Sequence, residues 1–369
     1  MSGAGHFELV RRDPSGARLG RLVTAHGVVD TPAFMPIATH GVVKGVAPRH
    51  LEELGATMVL ANAYHLAQRP GVDTVCALGG LHAFMGWDGP ILTDSGGYQI
   101  VSLAGLVRVD DEGVRYRSHV DGRAGTLRPE DAVQVQEALG VDVAMSLDEC
   151  VAASAPATAV QRAVGRTTDW AARGLAVRQR PETALFGIVQ GGLDAALRAE
   201  SARGLIALGF DGYAVGGLSV GESPAETARV AGATVALLPE ERPRYLMGMG
   251  TPGDLLRFTA RGYDLFDCVL PSRNGRNGTL FTSQGKLMIR NAVYARDTRP
   301  VEEGCECYTC TRYSRGALRH FMMAREMLGA QLATIHNLHF YLRLMRLVRV
   351  ALAAGTFPAQ AVTAAGAWA

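Results

Sequence analysis

The sequence predicts a (β/α)8 barrel with a metal-binding helical element appended to it. Three observations carry that expectation. Eight short apolar runs alternate with helix-like stretches over about 250 residues, the size and rhythm of a closed parallel barrel. Nearly every chemically suggestive residue falls at the carboxyl end of one of these runs. Three closely spaced cysteines follow the last run.

In order, the expected strands are Ala33–Ile37, Thr57–Ala61, Ile91–Asp94, Asp142–Leu147, Ala184–Val189, Gly212–Val215, Tyr245–Gly248 and Asp264–Cys268. Amphipathic helical stretches such as Pro129–Leu139 and Ala195–Leu208 precede strands, with Gly140 and Gly209 as stop signals. A doubly wound open sheet has the same periodicity but gathers its site at one switch point. Here Asp94, Asp148, Gln190, Gly216-Gly217, Met247-Gly248 and Asp267 come from six strand ends, which favours the barrel. The expected organisation is a catalytic barrel over 1–293, a zinc-binding subdomain over 294–350 whose long helix packs back on the barrel, and a tail over 351–369.

With 48% hydrophobic and 20% charged residues, the 369-residue chain has a globular composition. Its net charge of +2 excludes a uniformly basic nucleic-acid binder, so any polyanion must meet local clusters. One lies between Cys268 and Arg296, where a Gly/Asn loop is expected to follow the strand that ends near Asp267; it holds Arg273, Arg276, Lys286, Arg290 and Arg296 and no acid. The other lies between Thr311 and Val350, with seven arginines against Glu326 alone. The amino terminus lacks an apolar signal-type core, and Gly355, Pro358 and Gln360 interrupt the uncharged carboxyl end, so a cytoplasmic protein without a membrane span is expected.

Cys305, Cys307 and Cys310 offer three thiolates within six residues. A tetrahedral zinc ion needs one more ligand, and His320, His336 and His339 lie downstream. Spacing leaves the choice between His336 and His339 open. A closed set of this kind leaves no position for a reactive water, so the metal is expected to be structural.

Three carboxylates should surround the barrel mouth. Asp94 precedes a glycine pair in Asp94-Ser-Gly-Gly-Tyr-Gln99, Asp148 begins Asp148-Glu-Cys150, and Asp267 ends an apolar run beside the basic stretch. Two carboxylates can exchange a glycosidic bond, one as nucleophile and one handling the departing group's proton. A third can accept the N–H groups of a purine edge. Gln190 and the backbone of Gly217 supply complementary donors, while Tyr98 and Met247 offer surfaces to sandwich a base.

These motifs, with Gly187-Ile-Val-Gln-Gly-Gly192, Gly216-Gly-Leu-Ser-Val-Gly-Glu222, Tyr245-Leu-Met-Gly-Met-Gly-Thr-Pro252 and Phe266-Asp-Cys-Val-Leu-Pro-Ser-Arg273, resemble the bacterial tRNA-guanine transglycosylases (queuine tRNA-ribosyltransferases) over about residues 6–350. The resemblance implies a (β/α)8 barrel with a zinc subdomain and selects His336 as fourth ligand. It implies that Asp267 attacks C1′ of the wobble guanosine in GUN-anticodon tRNAs (those for aspartate, asparagine, histidine and tyrosine), that guanine leaves, and that Asp94 is the general acid or base. Base recognition is implied for Asp94, Ser95, Gly96, Gly97, Tyr98, Gln99, Asp148, Cys150, Gln190, Gly217, Leu218 and Met247. RNA contact is implied for Gly248, Met249, Gly250, Thr251, Pro252, Gly253 and Asp254, and for Ser272, Arg273, Asn274, Gly275 and Arg276. Cys150 and Val220 match the bacterial pattern in which 7-aminomethyl-7-deazaguanine (preQ1) is inserted on the way to queuosine, and the family implies a homodimer paired through the zinc region.

The sequence departs from many bacterial members at Asn62-Ala-Tyr-His65 and Ala38-Thr-His40, which bears on the pocket entrance. A non-catalytic tRNA-binding subunit would be expected to lack Asp94 or Asp267. Both are present. An archaeal-type enzyme would carry further carboxyl-terminal RNA-binding domains, and a zinc hydrolase would need an open ligand position.

Overall fold

The computed structural model describes residues 5–103 and 107–357. Eight parallel positions form the barrel: β1 (Ala33–Met35 continued by Ile37–Ala38), β2 (Val59–Asn62), β3 (Ile91–Asp94), β4 (Val143–Met145), β5 (Ala184–Val189), β6 (Gly212–Val215), β7 (Arg244–Leu246) and β8 (Leu265–Asp267). All eight overlap the expected runs, with ends that differ by at most two residues. Pro36 interrupts β1, since its ring nitrogen has no hydrogen to donate to a ladder. The first half of β1 pairs with β8, Asp267 opposite Met35, and the second half pairs with β2, Ala38 opposite Ala61. That splice completes the ring, and the barrel replaces the open sheet.

β2 through β8 are buried along their whole length, as expected for parallel strands covered on both faces. Met35, Leu60, Leu92, Met145, Phe186, Ile188, Tyr245 and Leu265 fill the interior. Phe7, Leu22 and Val29 join this cluster from an antiparallel sheet of Phe7–Arg12, Arg18–Thr24 and Gly27–Thr31, which closes the amino-terminal end of the barrel. A second antiparallel sheet, Val107–Asp110, Gly113–Arg117 and Ala124–Leu127, is inserted after β3 and packs through Val114 on Tyr64, Ile100 and Trp170.

The expected helices appear as α1 (Pro129–Leu139) and α2 (Ala195–Leu208), each ended by its glycine in the left-handed conformation, Gly140 at φ 77° and Gly209 at φ 82°. After β7 comes α3 (Pro252–Thr259), and after β8 comes α4 (Leu270–Asn277). The stretch expected as a Gly/Asn loop is therefore helical. The reason is tertiary: a Cβ on Gly275 would lie 2.9 Å from backbone atoms of Ala333 and Thr334, so α4 presses directly on the long helix α5 (Met327–Ala354). Between α4 and α5 lie a hairpin, Thr279–Thr282 with Gly285–Met288, and short helices Tyr308–Arg312 and Arg315–Met323 around their own apolar cluster.

α5 is capped by Gly355 at φ 73°. It returns to the barrel flank through Leu338, Tyr341, Leu344, Met345, Val348 and Leu352. The expected tail falls largely on residues 358–369, outside the described residues. Among the described residues, no helix is long and apolar enough to cross a membrane.

Candidate active site

Asp94 and Asp267 close β3 and β8, three strand positions apart across one barrel mouth. The Ala63 amide donates to Asp94 Oδ1 at 3.1 Å, and the Asn62 side-chain amide donates to Oδ2. Neither cancels the cost of burying a carboxylate. Burial pushes the Asp94 carboxyl up to about 7, with the Asn62 and Ala63 bonds pulling it back and the charge of Asp267 adding to the rise.

Asp267 is held asymmetrically. Tyr245 Oη donates to its Oδ1 at 2.6 Å and the Gly248 amide donates to the same oxygen at 2.7 Å. Oδ2 takes no hydrogen bond from the described residues, which leaves one oxygen for an electrophile. Burial raises this carboxyl too, and the Gly248 and Tyr245 bonds work against the rise. Paired carboxyl groups at one mouth, one proton-carrying near neutrality and one with a free oxygen, suit glycosyl transfer through a covalent intermediate.

The third carboxylate, Asp148, is buried and pushed up to about 6 while accepting from Gln190 Nε2 at 2.6 Å. Gly216 and Gly217 lie on this pair: a Cβ on Gly217 would sit 2.2 Å from Gln190 Oε1, and one on Gly216 2.9 Å from Gln190 Nε2. Only glycine allows the backbone that close. Gly97 approaches Leu147 and the Asp148 carbonyl in the same way, and the Gly97 amide donates to Ser95 Oγ at 3.4 Å. Gln99 Oε1 is shielded from solvent without a partner, an acceptor left for a ligand N–H. Tyr98 stands 52% exposed at the mouth, while Leu218 and Met249 are buried and Met247 half-buried. Burial pushes the Cys150 thiol up to about 12, so it lines the pocket uncharged.

Two side chains that the sequence reading did not single out complete the arrangement. Tyr245, within the Tyr245–Pro252 motif, fixes Asp267 through its hydroxyl. Arg198, on the buried face of α2, donates to the carbonyls of Val189, Gly192, Gly216 and Gly217, at 2.9, 3.0, 2.7 and 3.3 Å. It braces both glycine loops from behind. A lone arginine among Ser201, Ala202 and Leu205 at helical spacing was the available signal.

The residues marked for RNA contact divide by environment. Thr251 and Asp254 satisfy each other in a capping box at the start of α3, leaving mainly backbone at Gly248, Pro252 and Gly253. Met249 is buried against Ser219, and a Cβ on Gly250 would strike Cys268. On α4, Ser272 and Gly275 are buried, Asn274 is half-buried and Arg273 is exposed. Arg276 Nη1 is shielded without a partner, and burial together with Arg273 lowers its proton affinity. Of the second basic cluster, Arg315 binds Asp297 and the Val301 carbonyl, Arg319 the Arg290 and Asn291 carbonyls, and Arg349 the Pro32 carbonyl. Those three serve packing.

Cys305, Cys307, Cys310 and His336 converge with all ligand atoms within 4.8 Å of one another. His336 Nδ1 lies 3.9, 3.6 and 3.3 Å from the three sulfurs. Tetrahedral coordination with the usual zinc bond lengths sets sulfur and nitrogen about 3.6 Å apart, so the set fits without rearrangement. His336 Nε2 donates to the Phe281 carbonyl at 2.8 Å, which leaves Nδ1 as the ligand atom. His339 lies one turn further along and is not in the set.

A family model described as queuine tRNA-ribosyltransferase matches residues 13–368. The chain belongs to the queuine tRNA-ribosyltransferase family. Among its relatives, the queuine tRNA-ribosyltransferase of Symbiobacterium thermophilum is 52% identical over 353 residues, covering 95% of this chain and 88% of the relative. Those of Moorella thermoacetica and Syntrophobacter fumaroxidans are 51% and 50% identical, each covering 95% of this chain and 94% of the relative. The barrel and the Cys3His cluster agree with what the sequence resemblance implies.

Proposed function

We propose that the chain is a tRNA-guanine transglycosylase, a pentosyltransferase that replaces guanine at the wobble position of GUN-anticodon tRNAs with preQ1, a step in queuosine synthesis. The observation that carries this reading is the pairing of Asp267, held through Oδ1 with Oδ2 free, with Asp94, whose carboxyl sits near 7. Asp267 Oδ2 forms a bond to C1′ as the bond from C1′ to guanine N9 breaks, and Asp94 supplies the proton that guanine takes away. The incoming base then gives its N9 proton to the Asp94 carboxylate and attacks C1′, releasing Asp267.

Asp148 and Gln190 accept and donate along the purine edge, and Gln99 offers its free acceptor. The uncharged thiol of Cys150 beside them suits the bacterial substrate pattern. Arg273 and Arg276, three residues apart on α4, present one cationic face to the flanking phosphates. The backbone of Gly248–Asp254 provides the second contact.

Cys305, Cys307, Cys310 and His336 hold a structural zinc, which neutralises the thiolates and ties the short helices to α5. Two copies pair through this region: a cavity of about 480 Å³ between the helix Pro48–Glu53, the metal loop and α5 is lined by Glu52, Glu53 and Glu306 as well as Arg312, Arg343 and Arg346. Such mixed charge suits a two-fold contact. The enzyme works in the cytoplasm, where its tRNA is found. A non-catalytic subunit is disfavoured because both carboxylates are present and supplied with partners.

The test is incorporation of radiolabelled guanine and preQ1 into unmodified tRNA with a GUN anticodon. Exchange of both labels is expected, together with a denaturation-resistant tRNA adduct that is absent in Asp267→Asn. An adduct that persists in that variant overturns the nucleophile, and tRNA binding without exchange overturns the enzyme.

A further inference from the structure

Three side chains from separate elements meet at the amino-terminal end of the barrel, the end away from Asp94 and Asp267. Asp142 immediately precedes β4 and is buried. His26 sits in the turn between strands Arg18–Thr24 and Gly27–Thr31, and His82 lies on the short helix Gly80–Met85. His26 Nδ1 is 2.9 Å from Asp142 Oδ1, and His82 Nε2 is 3.2 Å from Asp142 Oδ2. The two rings stack with centroids 3.7 Å apart and planes 21° from parallel, so both present a nitrogen edge to one carboxylate. All three ligand atoms lie within 4.8 Å of one another.

Two further observations separate this cluster from an ordinary hydrogen-bonded group. The carboxylate is already fixed by protein amides, from Ile91 at 2.8 Å and from His26 at 3.0 Å, so it is oriented independently of the imidazoles. His82 Nε2 is shielded from solvent and faces Asp142 Oδ2 as its polar neighbour.

We propose that His26 Nδ1, His82 Nε2 and Asp142 form a second metal site, for a zinc-class divalent ion. Ligand atoms around a tetrahedral ion with bonds of about 2.0–2.1 Å stand roughly 3.4 Å apart, and the three ligand atoms here lie within 4.8 Å of one another, so side-chain adjustment brings them onto one ion. Two imidazoles and a carboxylate leave a fourth position for water, open on the side of His26, whose side chain is 41% exposed. Without thiolates, this site fills after the Cys3His set. Its distance from the catalytic mouth gives it a mechanical role: it joins the sheet that closes the barrel floor to a flanking helix and to the entry of β4.

The test is titration of protein already holding one zinc per chain with Zn2+ and, separately, Co2+, read by calorimetry and visible absorption. A second equivalent is expected, with cobalt ligand-field bands and no new thiolate charge-transfer band. Added Zn2+ should also raise the melting temperature. His26→Asn, at a surface turn, should weaken the second equivalent at least tenfold, and the double variant His26→Ala/His82→Ala should abolish it while keeping the first. Melting of both variants without added metal checks their folding. A wild-type protein that stops at one equivalent, or a folded double variant that still takes the second, overturns the proposal.

Discussion

Asp94 carries opposing demands of catalysis and stability. Its folded-state carboxyl lies at about 7, raised chiefly by burial, against an ordinary value of 3.8. The folded protein therefore holds this proton more tightly than the unfolded chain does. The resulting stability is complete below about pH 4 and is lost as the pH rises through about 7, a change on the order of 4 kcal/mol. Asp94→Asn cannot titrate, so thermal denaturation at pH 4.5 and pH 7.5 should show a smaller decline in the variant than in the wild type, together with loss of base exchange; equal declines would refute the assignment. Arg198 lends itself to a different test, because it touches carbonyls and no base. Arg198→Lys retains the charge but cannot reach four acceptors, so KM for the base should rise about tenfold with a smaller change in kcat. Equal KM values in steady-state kinetics would show that the glycine loops hold themselves. The carboxylates were legible because charge at the end of an apolar strand is conspicuous, as at Asp94, Asp148 and Asp267. Arg198 and Tyr245 were not, because their roles arise from which loops the fold brings to them.

At the scale of elements, the strands were readable since burial on both faces leaves an uninterrupted apolar run. α4 was not. Pro271, Asn274, Gly275, Asn277 and Gly278 read as a loop by propensity, and contact with α5 outweighs that preference by admitting only glycine at the crossing. Gly275→Ala should therefore destabilise the protein by roughly 1–3 kcal/mol despite alanine's better helix propensity, since the opposing atoms are backbone and cannot rotate away. Denaturant titration gives the value, and a stabilised variant would mean the helices can part freely. Arg276→Ala tests what α4 presents: tRNA affinity should fall and the slope of log affinity against log salt should shrink by about one. An unchanged slope would place the phosphate elsewhere. The two antiparallel sheets are not legible in the sequence because their strands mix exposed residues with buried or half-buried ones and so lack an uninterrupted apolar run, as in Ala124–Leu127.

For the whole molecule, α5 is the element on which the parts depend. It carries His336 toward the thiolates, Asn337 to the carbonyls of Pro271 and Thr279, Tyr341 to the Gly250 carbonyl at 2.7 Å, and Arg349 to the Pro32 carbonyl at 2.8 Å. Removing the metal with a chelator should lower the melting temperature by several degrees and weaken tRNA binding, while restored zinc recovers both; calorimetry and filter binding read the outcome, and full stability without metal would contradict a structural role. The barrel and the thiolate cluster were foreseeable as separate pieces, but no local pattern shows one helix serving both. That helix also connects segments more than three hundred residues apart in the sequence. Arg349 reaches the residue just before β1, and the Arg11 guanidinium donates to the Ala353 carbonyl at 2.7 Å. A ribosome making this chain releases both edges of the β8–β1 seam before it releases their cover. Until residues 327–354 emerge, the nascent barrel presents that flank to solvent, so a prematurely stopped message yields an uncovered substrate for chaperones and proteases.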